Sequence, residues 1–380
     1  MFTFAGIAMK FSRSVCVALI FVFSFVISLA GQDNPRNETY HVGVSGAYGF
    51  LWAHHKYMEH LLVKHVYAVE LDVWKQTTGN RYWHEPFHYP QVGIAATSIS
   101  LGDPQRLGTG LGLYPFINFP LGKKERNLKM HFRIGWGLGW VTKSFDPETN
   151  HKNNAIGSKF NACMDLRFDL RWRISDAFQV QSAIGMTHFS NGALKFPNLG
   201  INLPMINVGV HYRIGQGNGD CKNDAYDTND SLRNDSRWHI TVQVAGGANA
   251  LEVANPKRYG VFNILSCMMK QTSTRHRFGF GVDVMWSGAI REKREARGGQ
   301  VSVAGNIQPG IKFCYELVLG RMSWPFEAGI YLYSPYMEHG IMYNRYGVRY
   351  QCSEHLVAQV SLKTNLFAAE YWEVGAGWRF

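Results

Sequence analysis

Hydrophobic and polar residues alternate one by one through most of the chain beyond its first 39 residues. Leu128, Met130, Phe132, Ile134, Trp136, Leu138 and Trp140 share one face, and Lys129, His131, Arg133, Gly135, Gly137 and Gly139 the other. A second run sets Ala162, Met164, Leu166, Phe168, Leu170, Trp172 and Ile174 against Asp165, Arg167, Asp169, Arg171 and Arg173. Period two marks strands whose two faces meet different surroundings. These runs extend over about 12 residues, beyond the ~9–11 that a tilted strand needs to cross a bilayer. Their polar faces carry dense charges of both signs, which suits a narrow closed lumen better than the wet face of a soluble sheet. The pattern predicts an all-β protein, a transmembrane antiparallel β-barrel.

Eight such strands are predicted near residues 40–52, 64–75, 90–101, 106–119, 127–141, 160–174, 177–190 and 204–215. The segment 216–236, rich in Asn, Asp, Gly and Ser, has no strand pattern and reads as a polar linker. Residues 237–380 supply about eight more strands that resemble a second, degenerate copy. Arg167-Phe168-Asp169-Leu170-Arg171-Trp172 is echoed by Arg345-Tyr346-Gly347-Val348-Arg349-Tyr350, and Val208–Ile214 by Val374–Phe380. Sixteen strands close either as two tandem barrels of eight or as one barrel of about sixteen. The long linker favours the tandem form, because neighbouring strands of one barrel need only a short turn. Small barrels fill their interior with side chains, and Lys129, Arg133, Asp165, Arg167, Asp169 and Arg171 would form an ionic plug there.

Composition agrees with many short strands. Glycine (39), Phe (24), Tyr (18) and Trp (11) are abundant, and only 18% of residues are charged. Mean hydropathy is −0.18, and beyond the N-terminus no apolar run approaches the length of a membrane-spanning helix. Lys10 and Arg13 precede an uncharged apolar stretch to Ala30, with Ser28-Leu29-Ala30 as a small-x-small cleavage site. Residues 1–30 therefore read as a secretory signal peptide. Its loss removes two of the +11 formal charges, leaving +9. No Lys/Arg tract with interleaved aromatics accompanies that charge, so a basic surface facing anionic lipid headgroups is expected rather than nucleic-acid binding. Five cysteines remain after cleavage, an odd number with no CxxC spacing, which predicts neither a disulfide framework nor a thiolate metal site.

His84-Glu85-Pro86-Phe87-His88 spells the HExxH of zinc proteases, whose chemistry needs both histidines on one helical face. Pro86 and Pro90 disfavour that helix, so no metal and no cofactor is expected. The stretch Gly185-Met186-Thr187-His188-Phe189-Ser190-Asn191-Gly192 differs. Gln179, Gln181, Ala183 and Thr187 face the lumen, which puts His188 and Ser190 at the end of an apolar, outward stripe. Residues two apart on one face stand about 7 Å apart at Cα, within reach for an imidazole and a hydroxyl. A serine activated by a histidine is the minimal arrangement for acyl transfer; the plain alternative is two polar groups wetted at the headgroup boundary. With both termini of the first barrel on the periplasmic side, the seventh strand ends at the outer leaflet, at the depth of lipid A ester bonds.

Here the chain resembles a family, the outer-membrane lipid A 3-O-deacylases (PagL-like) and their acyloxyacyl hydrolase relatives. The resemblance covers about 40–215 and rests on His188-x-Ser190-Asn191 and Asn198-x-Gly200-Ile201. It implies an eight-stranded barrel of the bacterial outer membrane with a Ser-His-Glu site on its lipid-facing exterior. Lipid A of lipopolysaccharide would be the substrate. By motif match, Ser190 would be the nucleophile and His188 the general base, with Asn191 and Asn198 near the oxyanion. Asn202 stands where the family's glutamate is expected; it can orient the imidazole but cannot stabilise imidazolium by charge. In the second copy Thr364-Asn365 aligns with Thr187-His188 and no serine follows, so the C-terminal half is expected to be chemically silent. The rival expectation is a non-catalytic structural or transport barrel that retains the motif. The sequence carries no signal of oligomeric state.

Overall fold

The computed structural model describes residues 39–122, 127–215, 238–253, 255–296, 298, 302, 306–335, 340–366 and 368–380. The expected signal peptide, 1–30, and linker, 216–236, lie outside these residues. The first eight strands are β1 (Tyr40–Gly49), β2 (Val66–Gln76), β3 (Gln91–Ser100), β4 (Thr109–Leu121), β5 (Leu128–Val141), β6 (Phe160–Arg173), β7 (Phe178–Ser190) and β8 (Ile201–Ile214). Each pairs antiparallel with its sequence neighbours, and β1 closes the sheet on β8 in a register that sets Val44 against Val210. The next eight are β9 (Trp238–Glu252), β10 (Asn255–Gln271), β11 (His276–Ser287), β12 (Ile307–Leu319), β13 (Met322–Tyr331), β14 (Met342–Gln351), β15 (Leu356–Asn365) and β16 (Ala368–Arg379). They close separately, β9 on β16, with the short helix α1 (Gly288–Ala296) in the β11–β12 connection. The tandem reading holds and the sixteen-stranded one does not.

Alternation decides which residues each barrel buries. Outward residues such as Ile184, Ile206, Val208 and Val374 are 59–65% exposed, an apolar belt that only lipid can cover without cost. Inward residues of the first barrel form a continuous ionic network. Arg133 reaches Glu70 at 3.0 Å, Asp72 at 3.5 Å and Asp169 at 3.6 Å. Arg167 binds Glu70 and lies 3.3 Å from Asp169, while Arg171 lies 3.2 Å from the same carboxylate. Lys129, expected in this plug, is exposed at the end of β5, beyond the lumen. The second barrel repeats the device, with Arg345 bridging Asp283 at 2.8 Å and Glu327 at 3.1 Å and also binding Glu373. Arg345 occupies β14 as Arg167 occupies β6, so the sequence echo is also a structural one. Both lumens are filled by these side chains, and purified protein in planar bilayers should show no stable porin-size conductance. A steady channel would contradict the plugged barrels.

The cysteine expectation needs correcting. Cys267 of β10 and Cys314 of β12 are joined by a disulfide, with Cα atoms 6.8 Å apart. Both point into the lumen across β11, whose inward positions beside them are Gly279 and Gly281. With no side chain between them, two strands that are not neighbours bring their thiols together. Counting and spacing in the sequence cannot register that curvature. Glu327 lies beside the pair, but oxidised sulfurs are not thiolate ligands.

The HExxH segment forms turns rather than a helix. His84 is buried and accepts from the Gly79 N–H at 3.2 Å, whereas His88 is exposed. Burial, with Arg81 and Lys75 nearby, pushes the His84 pKa down to about 4. The segment's role is docking. Phe87, with Ile117 of β4, packs against Leu319 of the second barrel, and Tyr82 donates to the Gly320 carbonyl at 3.3 Å.

Candidate active site

The site is set by the last turn of alternation on β7. Phe189 points inward and is fully buried in an apolar plug with Leu101, Val141, Ile201 and Leu203, which seals this end of the lumen. Fixing Phe189 inward forces His188 and Ser190 outward, both half-buried. The register then carries one lane of outward residues around the barrel: Trp136 opposite Met164, Met164 opposite His188, and His188 opposite Asn202.

Across that last pair, His188 Nδ1 lies 2.6 Å from Asn202 Oδ1. An amide oxygen only accepts, so the proton sits on Nδ1 and Nε2 keeps its lone pair. The Asn202 amide is itself oriented, because its Nδ2 lies 3.1 Å from His54 Nδ1. That nitrogen also sits 3.4 Å from the Trp52 carbonyl, but the shorter contact, with an Nδ1 that accepts, sets the geometry. His54 comes from the β1–β2 connection, 148 residues away, and no spacing in the sequence pointed to it. Gly200 makes the close approach possible. Its φ is +85°, and a Cβ there would stand 2.7 Å from His188 Cε1.

Ser190 is held by the loop that follows it. The Asn198 side-chain amide flanks the hydroxyl, Nδ2 at 3.1 Å and Oδ1 at 3.3 Å, and the Gly192 N–H donates to Oγ at 3.2 Å. Among the described residues these are its hydrogen-bond partners; His188 is not one of them. Asn191 is buried, and its Nδ2 donates to Ser158 Oγ at 2.9 Å and to the Lys195 carbonyl at 2.8 Å. Its backbone N–H donates to Asn198 Oδ1 at 3.0 Å. The structure therefore gathers the five residues singled out from the sequence into two clusters, His188–Asn202 and Ser190–Asn198–Asn191. To these it adds His54, Gly192 and Gly200.

A family model for lipid A 3-O-deacylase (PagL) matches residues 63–211, and one for the acyloxyacyl hydrolase C-terminal domain matches residues 237–380. The chain belongs to the PagL lipid A deacylase family. Membership places the protein in the bacterial outer membrane, in lipid A remodelling. No curated protein matches the chain. Among solved structures, it is similar to Neisserial surface protein A at 8% identity, over 47% of this chain and 97% of that one, with a TM-score of 0.30. It is also similar to Omp33 of Acinetobacter baumannii, at 7% identity over 90% and 98% of the chains, with a TM-score of 0.16.

Proposed function

We propose that the protein is a serine esterase that removes an ester-linked acyl chain from lipid A. The observation that carries this reading is the His188–Asn202 hydrogen bond on the barrel exterior, two residues from Ser190. It leaves Nε2 free to act as a base toward a membrane-borne ester. Ser190 Oγ attacks the ester carbonyl while His188 Nε2 takes its proton. The tetrahedral intermediate collapses, the C–O bond to the sugar breaks, and His188 returns the proton to the departing hydroxyl. Water, activated in the same way, then releases the fatty acid from Ser190. In the resting site Ser190 faces Asn198, so a rotation about its Cα–Cβ bond precedes attack. Catalytic hydrogen bonds of this kind commonly tighten only once substrate is bound. After that rotation the Gly192 N–H and Asn198 Nδ2, both beside the starting position of Oγ, are the donors placed for the oxyanion, each worth about 3–4 kcal/mol in well-studied hydrolases. Asn191 serves by shaping the loop that presents them. The C-terminal barrel has no serine in the equivalent place and carries out no hydrolysis of its own.

Purified protein mixed with lipid A should release free fatty acid and leave one more free hydroxyl on the lipid. No release would favour the non-catalytic reading, for which Asn202 in place of glutamate is the specific support. Gly200→Ala offers a finer check. The added methyl displaces the imidazole and strains a positive φ, and a shift of about 1 Å in a catalytic group costs up to ~100-fold. Fatty-acid release should fall by about that factor while the barrel still folds; an unchanged rate would remove His188 from the mechanism.

A further inference from the structure

The outer wall of a single barrel is convex, and by itself it offers an acyl chain only one side to lie against. The second barrel changes this at the site. Trp372 of β16 stacks on Trp136, their ring centroids 5.4 Å apart and their planes 18° from parallel. The same ring lies so close to Gly192 that a Cβ there would stand 2.2 Å from Trp372 Nε1 and 3.0 Å from Leu362 Cδ1. Gly192 is the residue whose N–H donates to Ser190 Oγ. The next residue, Ala193, accepts from the Ala250 N–H of β9 at 2.9 Å. Three strands of the second barrel thus converge on the loop that holds Ser190.

On the first barrel's side, Leu138 and Met164 stand outward beside the site, 69% and 38% exposed. Trp372 and Leu362 are half-buried. The two convex walls therefore meet in apolar residues beside the loop that holds the hydroxyl.

We propose that the second barrel, although it lacks a nucleophile, forms the second wall of the acyl-chain site. Trp372 and Leu362 are its specificity-determining residues, and the ligand is the fatty acyl chain of the ester under attack. The inference rests on the reading of Ser190 as nucleophile. Removing the Trp372 ring takes away apolar surface beside the loop of Ser190, and with it contacts that a long chain makes and a short chain never does. Apolar pockets discriminate by about 10–200-fold for differences of this kind.

The test compares p-nitrophenyl butyrate with p-nitrophenyl palmitate, using the full-length protein in detergent micelles. Trp372→Ala should lower the palmitate-to-butyrate ratio of kcat/KM by about tenfold, mainly through KM for palmitate. Trp372→Phe, which keeps an apolar ring, should restore most of the ratio. Trp378→Ala, farther along the same outward face of β16, should leave it unchanged. Active wild-type protein whose ratio is the same in Trp372→Ala would overturn the role of the second barrel and leave the Ser190 reading intact. So would an equal loss in Trp378→Ala, which would mark a general disturbance of β16. Wild-type protein inert toward both esters and toward lipid A would remove both readings.

Discussion

Ser190→Ala should lower fatty-acid release from lipid A by on the order of 10⁴–10⁶-fold, as loss of the nucleophile does in other serine hydrolases. On the proposed mechanism the substitution deletes the atom that would form the acyl–enzyme bond. The Gly192 N–H and the Asn198 amide remain to polarise a carbonyl, so the residual rate reflects unassisted attack by water. Folding should be unaffected. The side chain points outward and is half-buried, and neither the lumen network nor the apolar plug around Phe189 touches its hydroxyl. Heat-modifiable mobility on gels checks the barrel, and quantified fatty acid checks the chemistry. A folded Ser190→Ala protein retaining a tenth or more of the wild-type rate would show that another group forms the bond.

Asn202→Asp should raise kcat by about tenfold with little change in KM. In the wild-type site Asn202 Oδ1 fixes the tautomer of His188, but on the proposed mechanism it offers no charge to the imidazolium that would form as Ser190 attacks. A carboxylate of nearly the same shape keeps the 2.6 Å geometry and adds that charge. Charge-assisted hydrogen bonds are roughly twice as strong as neutral ones, and about 1.4 kcal/mol of added transition-state stabilisation corresponds to tenfold. His54, exposed in its loop, can rotate to donate to the new carboxylate. Asn202→Leu removes the acceptor and should lower kcat by at least the same factor. An Asp variant slower than wild type would mean that Asn202 matters through its bond to His54 and not through the imidazole.

The strands were legible because inward and outward residues face opposite media, and period two survives any local irregularity. The bounds moved by up to three residues at β1, β4 and β8, and the start of β8 is the instructive case. Alternation placed it near 204, whereas pairing begins at Ile201, opposite Phe189. The position that hid this is Asn202, a polar residue on the lipid-facing side, where the site overrides the pattern. His188 and Ser190 could be singled out because they end one outward face of β7, whereas Asn191, Asn198 and Asn202 were indicated only by the resemblance to the PagL-like family. His54 and Trp372 could not be found either way, since the contacts that bring them to the site come from tertiary closure and from the docking of two barrels. The disulfide was missed for the same kind of reason, as only barrel curvature brings Cys267 to Cys314. The HExxH segment forms turns and not the helix that spelling would need, and its aromatic residues gave no hint that they would pack on the second barrel.

Hydrolysis of an acyl ester of lipid A at Ser190 is what we propose for this outer-membrane protein. Mass spectrometry of lipid A from cells producing the wild-type protein, the Ser190→Ala protein or neither tests it most directly. Only the wild-type spectrum should gain a species lighter by one ester-linked fatty acyl chain, with both proteins present at equal levels in the outer membrane. Identical spectra from all three cells, or the same lighter species with Ser190→Ala, would contradict the proposal.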